Sequence, residues 1–418
     1  MRFFSLIIFL LSCSAAFSQT KYQIANIKIE GLQKTKESYL RQFIESKQGK
    51  KLNKVTLEDD IQQLNRRTGV AKTIVQIDTL GSNQVNLTFK IEEQKTLIPQ
   101  FGIGGIKNNF WWQVGLAEFN LGGTGKALIG SFLSNDRRPN GKIYFDNNWI
   151  KGSKWGYAVD VNRTASVEPV FFTTGTSDFD YSNTGIGLTG IYNLSFKHQF
   201  RVGANYFHER YEKVSSEADP GPAFLIQDKL LFSATYTFNN IGYDYFYRTG
   251  SDTKLLLQSV STFGDETPFL SLTYEIRKYW RLKKRANIAV RFRGAIASNS
   301  FSPFAPFVLD SRVNIRGVGN RVDRGTAQLI LNLEYRHTLF HSKKHASQIV
   351  AFADSGTWRS PGGELKDLFN KNQFRQFVGG GIRWINKKVF KSVIRVDYGT
   401  DLWNLNQSGL VVGFGQYF

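Results

Sequence analysis

From Leu97 onward the chain alternates apolar and polar residues with a period of two. Leu230, Phe232, Ala234, Tyr236 and Phe238 interleave with Leu231, Ser233, Thr235, Thr237 and Asn239; Ala327, Leu329, Leu331, Leu333 and Tyr335 interleave with Gln328, Ile330, Asn332, Glu334 and Arg336. This is the pattern of strands with one apolar and one polar face. About 16 such segments of roughly ten residues follow one another, separated by Gly, Asn, Asp and Pro clusters, and an even number of strands of that length closes into a membrane barrel with a polar interior. The extent of the pattern separates it from a soluble sandwich. An all-β membrane barrel of about 16 antiparallel strands is therefore expected over residues 96–418. Its last strand would place Leu410, Val412, Phe414 and Phe418 on the lipid face.

Residues 19–95 have another texture, rich in lysine and poor in aromatics. Ile27 and Ile29 alternate with Lys28 and Glu30 in a strand that Gly31 ends. Tyr39, Leu40, Phe43 and Ile44 share one helical face, and Leu57, Ile61 and Leu64 another, with Thr56 and Asp59 placed as a capping pair. Two strands return, one over Thr73 to Asp78 and one in which Val85, Leu87, Phe89 and Ile91 alternate with polar residues. The expected unit is a small α+β domain of order β-α-α-β-β, with helices covering one sheet face. Ahead of it, residues 1–18 read as a signal peptide: Arg2, an apolar run Phe3 to Leu11, and an Ala16-Phe17-Ser18 cleavage site. Lipid attachment at Cys13 is the alternative reading.

Composition adds limits. No stretch after the signal approaches the roughly 18 consecutive apolar residues of a spanning helix, so any membrane crossing is by strands. The net charge of +20 would suggest nucleic acid in a cytosolic protein. In an exported barrel it points instead to anionic lipid or an arginine-rich lumen, with Arg277, Arg291, Arg293, Arg383 and Arg395 on inward positions partly matched by Glu275 and Asp397. Seven tryptophans, including Trp112, Trp149, Trp155 and Trp403, are expected in interfacial girdles.

The residues resemble the outer-membrane assembly and translocation barrels of the BamA/TamA and two-partner-secretion superfamily. The Ile29-Glu30-Gly31 turn and the Phe89-Lys90-Ile91-Glu92-Glu93 run resemble a POTRA domain, and Phe119-Asn120-Leu121-Gly122-Gly123-Thr124-Gly125 resembles the turn joining the second and third barrel strands. Ile315-Arg316-Gly317 resembles the V-R-G-aromatic motif, Leu333-Glu334-Tyr335-Arg336 follows on the next strand, and Phe352-Ala353-Asp354-Ser355-Gly356 resembles F-x-D-x-G on the one after. The resemblance implies that the loop 299–325 folds into the barrel and that Arg316 pairs with Glu334 and Asp354. Strand parity agrees in turning both carboxylates inward. Val318 departs from the pattern, which has an aromatic there.

The function so implied is outer-membrane protein insertion or polypeptide translocation, with the barrel in the outer membrane and the N-terminal domain in the periplasm. Nascent outer-membrane or secreted polypeptides, outer-membrane lipid and accessory periplasmic or lipoprotein subunits are the implied partners. Nucleic acid is not among them. Gly102, Gly104 and Gly105 in the first barrel strand and Gly413 and Gly415 in the last mark a weak lateral seam, since glycine within strands weakens pairing. The loop lock would then stiffen the wall opposite that seam. A run ending at Phe418 also reads as a barrel sorting signal. A two-partner transporter for one exoprotein and a passive pore are the alternatives. No enzyme, cofactor or metal is expected: Gly122-Gly123-Thr124-Gly125-Lys126 lacks phosphate-loop spacing, and His337, His341 and His345 fall at a strand end and in a short connection rather than on a helix.

Overall fold

The computed structural model describes residues 22–418 apart from 82, 107–108, 136–137, 264–267, 299–305, 312 and 320–322. The signal segment, with Cys13, and parts of the loop 299–325 lie outside the described residues.

The N-terminal unit comprises β1 (Gln23–Glu30), α1 (Glu37–Arg41), α2 (Lys54–Asn65), β2 (Val70–Leu80) and β3 (Gln84–Glu93). Its sheet runs β1-β3-β2, with β3 parallel to β1 and antiparallel to β2. Alternation on β3 buries Val85, Leu87, Phe89 and Ile91 against Leu40, Phe43, Leu57 and Leu64 from the helical layer. The first helix is shorter than its apolar face suggests: it ends at Arg41, while Phe43 and Ile44 stay buried in the turn beyond. The cap of α2 also differs from expectation. Asn53, not Thr56, accepts the free N–H groups of Val55 and Thr56, at 2.8 and 3.2 Å, because a short amide just before the first turn reaches those donors directly.

Sixteen strands form the second sheet: β4 (Leu97–Ile106), β5 (Asn109–Leu121), β6 (Lys126–Asn135), β7 (Arg138–Asn147), β8 (Trp155–Phe172), β9 (Gly175–Asn193), β10 (His198–Lys213), β11 (Phe224–Asp244), β12 (Tyr247–Thr262), β13 (Phe269–Leu282) and β14 (Ala286–Ala297), then β17 (Ala327–His341), β18 (His345–Arg359), β19 (Arg375–Asn386), β20 (Val393–Asp401) and β21 (Ser408–Phe414). The short hairpin β15 (Phe307–Leu309) and β16 (Asp323–Gly325) lies in the loop between β14 and β17. Each of the sixteen pairs antiparallel with its neighbour in sequence, so the sheet curls into a nearly closed barrel whose free edges are β4 and β21. Outward positions are apolar and exposed, as with Leu331, Leu333 and Tyr335, while the alternate positions Asn332, Glu334 and Arg336 are buried inside. No helix among the described residues is long and apolar enough to cross a membrane; the strands do so.

Strand length is uneven, against the even ten-residue expectation. Strands β8 to β12 have 16 to 21 residues, while β4, β6 and β7 have 10, β20 has 9 and β21 has 7. Crossing a bilayer takes about 9–11 residues, so the long wall rises past the membrane, β4 and β20 only just span it, and the edge strand β21 falls short.

The N-terminal unit is seated against the turns at one end of the barrel. Phe43 packs between Trp149 and Phe196, with ring centroids 5.3 and 5.8 Å away. Arg66 donates from Nε to the Ile241 carbonyl at 2.8 Å, Lys72 pairs with Asp244, and Lys388 with Glu92. These contacts reach turns spaced around the mouth. Trp149 is thereby drawn out of the interfacial girdle expected for it, whereas Trp155, Trp280 and Trp384 face outward and exposed.

The glycine turn between β5 and β6 is one of these seats. Gly123 and Gly125 have φ of +73° and +69°, and a Cβ on them would come within 2.2 Å of the Lys34 carbonyl oxygen and 1.9 Å of the Tyr39 hydroxyl. Buried Asn120 ties the turn together, accepting from the Gly125 N–H at 2.7 Å and donating to Thr35 Oγ1 at 2.9 Å. The residues of Phe119-Asn120-Leu121-Gly122-Gly123-Thr124-Gly125 thus bring the domain's backbone directly onto the barrel.

Candidate functional site: a locked loop beside an open edge

The loop between β14 and β17 turns into the lumen and carries Arg316 to the barrel wall. The guanidinium is fully buried and binds Asp354 of β18 in two-pronged fashion, Nε to Oδ2 at 2.8 Å and Nη2 to Oδ1 at 2.9 Å. The Arg316 backbone N–H also donates to Asp354 Oδ2 at 2.9 Å, and Nη1 donates to Glu334 of β17. Phe352 and Tyr417 stack on the guanidinium, their ring centres 3.7 and 4.4 Å from Cζ. Buried ions need both charge and hydrogen bonds, and this fork-to-fork geometry supplies both.

A wider polar network holds the carboxylates. Glu334 also accepts from Arg336 Nε, Asp354 accepts from Asn332 Nδ2 at 2.8 Å, and Asp397 of β20 accepts from Arg383 of β19 at 2.6 Å. Arg291 reaches the loop itself, donating to the Val313 carbonyl at 2.6 Å. Apolar packing completes the seat: Ile315 is buried with Leu309, Ile330, Trp358 and Phe377, and Val318 fills the edge of that cluster where an aromatic was expected. Gly356 leaves room for it, since a Cβ there would lie 2.6 Å from Ile315 Cδ1.

The loop does not stiffen the wall opposite the seam, as expected from sequence; it lies beside it. Gly317, with φ +94°, touches Gly399 of β20 and Gly409 of β21. A Cβ on Gly399 would meet the Arg316 carbonyl oxygen at 2.6 Å, and one on Gly409 the Gly317 carbonyl oxygen at 2.7 Å. Gly379, Gly399 and Gly409 stand opposite one another on β19, β20 and β21. This row of bare backbone is the floor on which the loop tip rests, and the sequence reading missed it. Its signal was present as glycines at inward positions on three successive strands, visible only once the register was known.

The free edges come close, with Cα atoms of β4 and β21 within 8 Å, but no ladder joins them among the described residues. Gly102, Gly104 and Gly105 lie in β4, paired to β5 on their other side. Gly413 has a further reason to lack a side chain: Arg395 lies across it, and a Cβ would be 2.5 Å from Nε. Gly415, with φ +86°, turns the chain off the wall. Leu410 and Val412 remain exposed on the outer face, but Phe418 is not on the lipid side; past Gly415 both Tyr417 and Phe418 enter the lumen and are buried. There the Tyr417 hydroxyl donates to the Ser311 carbonyl at 3.2 Å and Arg336 Nη2 donates to the Phe418 carbonyl at 3.0 Å. The loop, the last strand and the arginine network form one connected assembly.

Comparison with known proteins fits this geometry. Residues 120–407 match the Omp85 superfamily domain, and residues 22–94 match the POTRA model described as a surface antigen variable number repeat. The outer membrane protein assembly factor BamA of Buchnera aphidicola subsp. Acyrthosiphon pisum is 25% identical over 226 residues, which are 53% of this chain and 31% of that protein, so the alignment spans about a third of the relative's length. Among solved structures, BamA from Haemophilus ducreyi lacking POTRA domains 1–3 aligns with a TM-score of 0.56 at 16% identity, over 94% of this chain and 83% of that one. CdiB from Escherichia coli aligns with a TM-score of 0.61 at 12% identity, over 95% and 77%. With a matched barrel covering most of its length and a matched POTRA domain before it, the chain belongs to the Omp85 superfamily, its barrel in the outer membrane and its POTRA domain in the periplasm.

Proposed function

We propose that this protein inserts polypeptides into the outer membrane or moves them across it, using the unzipped edge between β4 and β21 as a template. The observation that carries this is that, among the described residues, no ladder joins two adjacent strands in an otherwise continuous sheet. Unpaired N–H and C=O groups cannot be left facing lipid, and a client strand that pairs there satisfies them. The client's own hydrogen bonding and apolar burial supply the free energy, so no nucleotide, metal or catalytic residue takes part. The thin wall around the edge favours the same outcome, because a short hydrophobic height pulls the bilayer inward and lowers the barrier to insertion.

The POTRA domain offers a second edge to extended clients. Among the described residues β2 pairs only with β3, and Ile74, Ile77 and Leu80 along it are exposed, a surface suited to strand addition. The locked loop fills the lumen beside β20 and β21 and disfavours a passive pore. Depletion followed by outer-membrane proteomics tests the reading: loss of many barrels supports insertion, loss of one exoprotein supports dedicated secretion, and unchanged profiles refute both. A disulfide engineered between β4 and β21 should block clients until it is reduced. Undiminished client delivery with that disulfide closed would overturn the seam mechanism.

A further inference from the structure

Between the POTRA domain and the barrel mouth lie two adjoining cavities that the transport reading has not used. The first, of about 260 Å³, is walled by Arg66 and Ala71 of the domain, by Tyr245 and Arg248 at the turn between β11 and β12, and by Phe390 and Lys391 at the turn between β19 and β20. The second, of about 250 Å³, is walled by Arg66 and Arg67 on the domain and by Trp149, Lys197 and His198 on the barrel. Arg66, Thr68 and Tyr243 line both, so the two are chambers of one passage. The linker before β4 fixes one wall of it: Lys95 donates to the Lys388 carbonyl at 2.8 Å and accepts from the Phe390 N–H at 2.9 Å.

The charge of this passage is one-sided. Among the described residues no carboxylate lines either chamber. On the outside of the same joint cations are matched, Lys72 and Arg281 by Asp244 and Lys388 by Glu92. Inside, neutral groups hold them. Arg66 is bonded to the Ile241 and Asn239 carbonyls and Arg67 to the Gln63 carbonyl, with its guanidinium over Phe43. Arg248 is bonded to the Tyr279 hydroxyl, and the Lys391 ammonium stands over the rings of Phe119 and Phe390. Such partners orient a cation and leave its charge in force. Tyr245 and Lys391, with φ of +54° and +52°, are two of the three non-glycine residues in the left-handed region among the described residues. Bulky side chains rarely adopt that backbone, and residues held in it concentrate where ligands are clamped.

A set of half-buried cations without counterions attracts negative charge, and the form of the passage decides what carries it. A small ion would occupy one chamber, whereas here two meet at Arg66 and both carry cations beside aromatic rings. The passage also begins at β2: Val70 and Ala71, the first residues of the strand whose free edge suits extended clients, line the first chamber. We propose that the passage receives acidic segments of extended polypeptide clients between the POTRA edge and the barrel mouth, with client carboxylates at Arg66, Arg67, Arg248 and Lys391. This assigns a chemistry to the clients and rests on the transport reading above.

Fluorescence anisotropy with the full chain in detergent tests it, using a labelled peptide in which aspartate alternates with valine and a counterpart with asparagine for every aspartate. The aspartate peptide should bind about tenfold more tightly or better at low salt, and lose that advantage as salt screens the charges. Lys391→Asn removes the ammonium and keeps a residue that tolerates positive φ; Arg248→Gln removes a guanidinium. Each should weaken binding of the aspartate peptide about two- to fivefold, the range of a partly exposed charge pair, with heat-modifiable mobility unchanged. Lys391→Asn serves as the reading if Arg248→Gln does not fold. Lys154→Gln, at an exposed position outside the passage, lowers the net charge equally and should leave binding unchanged. Equal binding of the two peptides, unchanged binding in the folded passage variants, or an equal loss in Lys154→Gln overturns the inference. Inorganic phosphate bound in place of the peptide, read by calorimetry, would make this a small-anion site and also overturn it. If the peptide fails while the disulfide between β4 and β21 still blocks clients, the transport reading stands and this inference alone falls.

Discussion

Replacing Gly399 by alanine isolates the seat of the loop without touching a charge. The added Cβ would stand 2.6 Å from the Arg316 carbonyl oxygen and 3.3 Å from Gly317 Cα, where ordinary contact begins near 3.4 Å. The loop tip must therefore retreat by about 0.8 Å, the difference between 2.6 and 3.4 Å, or β20 must bow outward. Backbone faces backbone here, so no side-chain rotation relieves the clash. Overpacking of this kind costs about 1–3 kcal/mol, and a retreat also lengthens the Arg316 N–H to Asp354 bond, now 2.9 Å. At about 1.4 kcal/mol per factor of ten, the docked loop should lose about five- to 150-fold in stability. Hydrogen exchange at the Arg316 amide reads this directly, and Gly130→Ala is the control, since a Cβ there meets nothing within 4 Å. Gly399→Ala should speed exchange across residues 313–318 while heat-modifiable mobility shows an intact barrel. Exchange equal to that of the control would mean that the glycine row does not support the loop, and the coupling of loop to last strands would fall with it.

Arg316→Ala should release the same loop by a different route. It strips a buried partner from Asp354 while Glu334 keeps Arg336, so a loss of about 3 kcal/mol in loop docking, the low end for a broken buried pair, is expected in the same exchange measurement, together with reduced client delivery and a folded barrel. Gly125→Val should undock the POTRA domain by about 1–3 kcal/mol, because its side chain collides with Tyr39 at a position with φ +69°; faster exchange over residues 36–44 checks it. The docking should also weaken in acid. Burial pushes the Glu92 carboxyl up, but the Lys388 ammonium and the Tyr245 hydroxyl bonded to it prevail and hold it below its ordinary 4.5. Its contribution is therefore complete above that value and is lost as the pH falls through the lowered one. Distances between spin labels on the domain and the barrel should broaden in that window, and Lys388→Met should reduce the pH dependence, the Lys72–Asp244 pair across the same contact keeping the remainder.

The barrel was legible because its signal is local and repeated. A period-two pattern needs only neighbouring residues, and a strand with one face in lipid cannot depart far from it. Arg316, Glu334 and Asp354 were legible through the resemblance of their motifs to the family pattern; strand parity agreed, because buried carboxylates need a cation, but did not by itself name the partner. What the sequence withheld depends on register and on backbone turns. Parity alone put Phe418 with Leu410, Val412 and Phe414 on the outside, which holds only while the strand continues; one residue at φ +86°, Gly415, ends it and sends Tyr417 onto the Arg316 guanidinium instead. Likewise Gly379, Gly399 and Gly409 are 20 and 10 residues apart in sequence, and only the pairing of β19, β20 and β21 makes them one surface. These two omissions have one consequence. With the loop resting on β20 and β21 and the residues after β21 wrapped beneath Arg316, the lock grips the strand that borders the opening. Freeing that edge for a client therefore requires either that the tail leave the lumen or that the loop rise from its glycine floor, and the Gly399 and Arg316 substitutions bias the second of these steps.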